Sequence, residues 1–151
     1  MSKHGVLSRV EMESRSEIQY EIYIKTINIE GLTMVEMARR LILPAVIDYK
    51  TTIADSISSI TAIGGNADVE KGLFARISDL LTSFNANLEK LEKAIVTASE
   101  LHGDTKAQAI AYRDLVFKTM TDLREDGDQL ETLVDADYWP MPTYSELLFN
   151  I

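Results

Sequence analysis

Cysteine is missing altogether from the 151 residues. That removes thiolate metal sites, cysteine nucleophiles and disulfide scaffolds together, and it suits a reducing compartment. Histidine is almost as scarce, with His4 near the start and His102 two thirds of the way along, so imidazole chemistry has only those two places to occur. Long apolar runs are absent too. The longest, Leu41 to Ile47, is interrupted by Pro44 and falls far short of the roughly 20 residues that span a bilayer. The opening Met1-Ser2-Lys3-His4-Gly5 lacks the pattern of a secretory leader. Basic residues are outnumbered 15 to 24, for a net charge of -9, so the summed field repels phosphate backbones. No stripe of Lys and Arg interleaved with aromatics reverses that locally. These absences predict a soluble, cytoplasmic protein with neither nucleic acid nor membrane as a partner, its core held by packing alone.

What is present is helical periodicity. The length fits one domain over residues 1–151, large enough for a single substantial core. From Ile77 the apolar positions run Ile77, Leu81, Phe84, Leu88, Leu91, Ile95 and Ala98 in steps of four and three, a heptad seam with a polar opposite face. It predicts a long helix from about Asp68 to Leu101. His102-Gly103 supplies the stop and Asp104-Thr105 the next start. A second seam follows: Ala109, Tyr112, Val116, Met120, Leu123, Gly127, Leu130 and Val134. Gly127 on that seam predicts close approach of a partner or a local kink. Upstream, Val35, Ala38, Ile42, Val46, Tyr49, Ile53, Ile57 and Ile60 form a third seam closed by Gly64-Gly65-Asn66, and Pro44 within it predicts a kink near Arg40 or a division. Glu17 to Glu30 alternates as a strand would, yet has no partner strand to take its backbone hydrogen bonds. It reads as one more helix, leading through Gly31 into the next. The expected fold is all-α: an elongated up-and-down bundle of about four long helices with a short C-terminal helical or extended segment.

Sites of chemistry are hard to find. His102 sits where a helix ends, and Glu100-Leu101-His102 lacks the Glu-x-x-His spacing of di-metal bundles. Asp122 to Asp128 has acids and a Gly at calcium-loop positions, but Arg124 and Leu133 occupy two ligand positions. These residues read as a solvated helical face. Gly64-Gly65 lacks the Lys of a phosphate loop, and Ser56, Ser58 and Ser59 have no base placed beside them. Met34, Met37 and Met120 read as core. No catalytic, cofactor or metal residue is identified.

The last stretch, D-Y-W-P-M-P-T-Y-S-E-L-L-F over 137–149, departs from the rest: it holds the one Trp and two of the three prolines. Pro140 and Pro142 read as stops for the last long helix, Trp139 as an anchor, and Thr143 as the cap of a short turn bearing Leu147, Leu148 and Phe149. Residues 4–46, with E-x-x-S-R, Y-I-K-T-I-N-I-E and L-T-M…I-L-P-A-V, together with A-Y-R-D-L-V and the closing W-P-M-P-T-Y, resemble the C-terminal region of type III glutamine synthetases. One departure is Ser16, where an aromatic is expected. The resemblance implies a fragment whose Met1 is an introduced or misread start. It implies a parent ligase that joins ammonia to glutamate with ATP and divalent Mg or Mn, as a homo-oligomeric ring. No catalytic residue of that family carries over, so the fragment is expected to be inactive, free of cofactor, and to serve assembly or regulation. Its expected partners are the catalytic domain of the same chain and neighbouring subunits. Candidate contact residues are Tyr138, Trp139, Pro140, Pro142, Tyr144, Leu147, Leu148 and Phe149, with Tyr20 and Tyr23 near the other end. A free-standing helical adaptor or sensor is the alternative.

Overall fold

A computed structural model describes residues 9–101, 103–142 and 148. Three long helices, not four, account for nearly all of the described chain, and there is no strand among the described residues. The first, α1, runs as α-helix over Arg9–Met37, a wide turn over Ala38–Ile42 and α-helix over Leu43–Ala62, without a break. At 1.5 Å per residue it is about 80 Å long. The second, α2, is Asp68–Ser99. The third, α3, is Thr105–Ala111, a wide turn over Tyr112–Phe117, and Lys118–Leu133.

Both expected interruptions of α1 are absorbed inside it. Gly31 is buried where α1 crosses its neighbours: a Cβ built on it would lie 3.1 Å from Ile95 Cδ1 and 3.4 Å from Val116 Cγ1. The missing side chain serves close packing instead of ending a helix. Pro44 lacks the N–H of a regular turn, and its ring would strike the carbonyl one turn earlier. The wide turn just before it, in which Leu43 N–H donates to Ala38 O five residues back, loosens the spiral there and lets the helix continue through the proline.

The turns follow their residue chemistry. Gly64 takes φ +77° and Gly103 φ +94°, left-handed values that glycine adopts without a Cβ penalty. Asp104 caps α3 by accepting from Ala107 N–H at 2.9 Å. Asn66 Oδ1 accepts from Asp68 N–H at 2.9 Å at the start of α2.

The core sits where the three seams meet. Val46, Ile77, Leu88, Leu91, Val116 and Leu130 are among the side chains with no exposed surface. Helix α2 runs antiparallel to α1 and α3: Gly31 lies beside Ile95 and Arg39 beside Glu92. Helices α1 and α3 therefore run parallel, with the Tyr112 hydroxyl donating to Asn28 Oδ1 at 3.0 Å. Burial raises the Tyr112 pKa above the ordinary phenol value. Glu17 to Glu30 is helical, as the sequence predicts. Gly127 faces the Phe84 ring at an ordinary 3.6 Å for an added Cβ, and α3 continues through it as α-helix.

One carboxylate among the described residues enters this core. Asp126 is buried, and its Oδ2 accepts from Ser83 Oγ and Asn87 Nδ2, each at 2.8 Å. The expectation of a solvated face over 122–128 fails at this residue, because α3 turns it onto α2.

Candidate functional site

Helices α1 and α3 touch along Asn28 to Gly31 and separate beyond Phe117, leaving an apolar groove of about 680 Å³ between them. Phe84 of α2 forms its floor. Met34 and Met37 of α1 line one wall, Phe117 and Met120 of α3 the other, and Trp139 and Met141 close the far end. Four of the chain's six methionines thus meet in one place. Met120 is buried as the sequence reading expects, but Met34 is half-buried and Met37 exposed, so these residues form a wall more than a core. Thr33, Thr121 and the charged side chains of Glu30, Arg124, Asp128 and Glu131 edge the opening.

The closing segment helps to build this site by folding back on its own bundle. Helix α3 stops at Leu133, well before Pro140, so the prolines do not end it. Val134 is extended, and a tight turn follows in which Trp139 N–H donates to Asp135 O at 3.1 Å. That turn brings Trp139 into the core at 8% exposure. Tyr138 packs on the Tyr49 ring with centroids 5.3 Å apart and shares a 2.8 Å hydrogen bond with Thr52 of α1. Trp139 and Tyr138 are thereby committed within the domain, whereas Pro140, Pro142 and Leu148 are exposed. Thr143, Tyr144, Leu147 and Phe149 lie outside the described residues. Tyr20 and Tyr23 are half-buried on α1, remote from the closing turn.

Electrostatics around the bundle are those of surface pairs. Arg39 holds Glu92 in two parallel bonds of 2.5 and 2.6 Å across α1 and α2, and the hydrogen bonding keeps the Glu92 carboxyl below its usual pKa. Arg113 lowers Asp114 in the same way. No group of three His, Asp or Glu residues is close enough to hold a metal ion among the described residues. No described helix is long and apolar enough to cross a membrane.

A family model described as the glutamine synthetase C-terminal domain matches residues 1–61, a stretch ending one residue before α1 does. Similarity to individual relatives runs the length of the chain. It is 31% identical over 98% of its residues to type-3 glutamine synthetase of Dictyostelium discoideum, and 30% over 99% to glutamine synthetase of Butyrivibrio fibrisolvens.

Over its first 61 residues the chain matches the glutamine synthetase C-terminal domain.

The domain spans about a fifth of these relatives, 21% and 22% of their lengths. A third relative, the glutamine synthetase of Bacteroides fragilis, is 25% identical over 96% of the chain. In this chain the segments that carry the resemblance converge: Ile29, Met34 and Ile42 from the first, and Trp139 and Met141 from the last, all border the groove.

Proposed function

We propose that this domain works by contact and not by chemistry: it packs on the catalytic portion of a glutamine synthetase, or on a neighbouring subunit, and supports assembly of the enzyme. The supporting observation is that 98% of the chain aligns with only 21% of a type-3 glutamine synthetase, which leaves the larger part of such an enzyme to supply the reacting groups. The parent reaction would join ammonia to glutamate at the expense of ATP, with a divalent metal. The residues present do not fit that metal, since the described carboxylates are dispersed and form no three-ligand cluster. No step of the reaction is assigned to this chain.

The test is direct. Purified chain, incubated with glutamate, ammonia, ATP and Mg or Mn, is expected to form no glutamine, whereas the complete synthetase carrying it does. Glutamine formation by the isolated chain would overturn the non-catalytic reading.

A further inference from the structure

We infer that the groove between α1 and α3 receives an amphipathic helix from the part of the synthetase chain outside these 151 residues, with an apolar stripe and Lys or Arg beside it. The inference rests on the reading of this chain as part of a longer synthetase, and it names the surface through which that reading operates.

Shape comes first. Two parallel helices over a third leave the open corner of a four-helix bundle. Measured along α1 from Ile29 to Ile42, that corner is about 20 Å long, room for three to four helical turns. Its walls keep apolar surface in water: Ile29 is 64% and Phe117 50% exposed. Methionine side chains reshape easily around an incoming apolar face. A wide turn borders the groove at each end, Ala38–Ile42 in one wall and Tyr112–Phe117 in the other. Such turns interrupt regular helix bonding and recur at functional sites.

Charge selects the occupant. Arg124 at the rim is tied to Asp128 at 3.7 Å, while Glu30 and Glu131 enter no ion pair among the described residues. The rim is therefore net acidic on a molecule of charge -9, and it favours a cationic neighbour. A second copy docking groove to groove would set these carboxylates against themselves. The domain's own residues 143–151 carry Glu146 and neither Lys nor Arg, so they repel the rim as well. The part of the synthetase outside this chain is several times its length and is the remaining source.

The experiment places the photo-crosslinking residue p-benzoylphenylalanine at Thr33 or Thr121 of the complete synthetase and at exposed Lys71 as a control, with the crosslinked peptides identified by mass spectrometry. We expect the two groove positions to capture one segment preceding this domain, with apolar residues at helical spacing and Lys or Arg beside them. We expect yields at least tenfold above the Lys71 control, falling at least fivefold when Met37→Glu is added. Capture of residues 143–151, capture of the same groove of a second copy, or yields equal to the control would each overturn the proposal. Circular dichroism of Met37→Glu as the isolated chain must show unchanged helix content, so that loss of capture reports the groove and not unfolding. If the proposal is overturned while removal of the whole domain still reduces particle mass, the groove assignment fails and the assembly reading stands.

Discussion

Replacing Asp126 by Leu tests how a buried carboxylate of the core is held. Asp126 reaches from α3 to α2, where Ser83 Oγ and Asn87 Nδ2 both donate to its Oδ2 at 2.8 Å. A hydrogen bond to a charged acceptor contributes about 1.5–3 kcal/mol, so two lost bonds set an upper loss of about 6 kcal/mol. Several terms reduce it. Ser83 is exposed and can turn its hydroxyl to water, the carboxylate's own desolvation cost disappears, and a buried leucine contributes roughly 2 kcal/mol of its own. The half-buried Asn87 amide is the group left without an acceptor. The expected net loss for Asp126→Leu is about 2 kcal/mol, read by urea unfolding at 222 nm, with a fall of about 4–8 °C in Tm. Asp126→Asn keeps an oxygen in the same place and should lose less than about 1 kcal/mol. Adding Asn87→Leu to Asp126→Leu should recover part of the loss, because the stranded donor is gone. Wild-type stability in Asp126→Leu, or equal damage from Asn and Leu, would refute this accounting.

Other substitutions separate the roles of glycine, core and surface charge. Gly72 is exposed inside α2 with nothing within 4 Å of an added Cβ, so Gly72→Ala should raise stability by about 0.5–1 kcal/mol. Gly31→Leu should lower it by about 2–3 kcal/mol through overpacking against Ile95 and Val116; the same urea titration reads both. Leu88, fully buried, should cost about 2–5 kcal/mol on change to Ala. Glu92→Gln has a pH signature. The Glu92 pKa is lowered in the folded state, so its stabilisation is present above the unfolded carboxylate value, about 4.3, and is lost as pH falls through the lower folded value. Wild type and Glu92→Gln should therefore differ slightly at pH 7 and converge in acid, as followed by Tm against pH. The partly exposed pair makes this difference small.

How far the fold can be read from the sequence depends on which residues carry it. The seams of α2 and α3 are periodic, and residues such as Leu88, Leu91, Val116 and Leu130 are buried where period alone puts them. Gly31 misleads because its usual local meaning is a break, whereas the disturbance Pro44 predicts near Arg40 is present as the wide turn over Ala38–Ile42, without dividing the helix. Gly31 instead answers a tertiary crossing, and a wide turn absorbs Pro44. Hence three long helices form where about four are expected. Asp126 misleads in the opposite direction: its neighbours in sequence are solvated, and only the Ser83 and Asn87 side chains of another helix make its burial tolerable. Trp139 can be recognised as an anchor, although its target, the domain's own core, cannot be read from the sequence. The groove is the least legible feature. It exists because α1 and α3 separate beyond Phe117, and no residue in either helix encodes that separation by itself.

The central claim, that this domain acts by contact in assembly, is tested most directly by the particle mass of the complete synthetase, measured by light scattering, with and without residues 9–142. The account predicts that removal yields a smaller particle at the same protein concentration, with the remaining portion still folded by circular dichroism. An unchanged mass would contradict it.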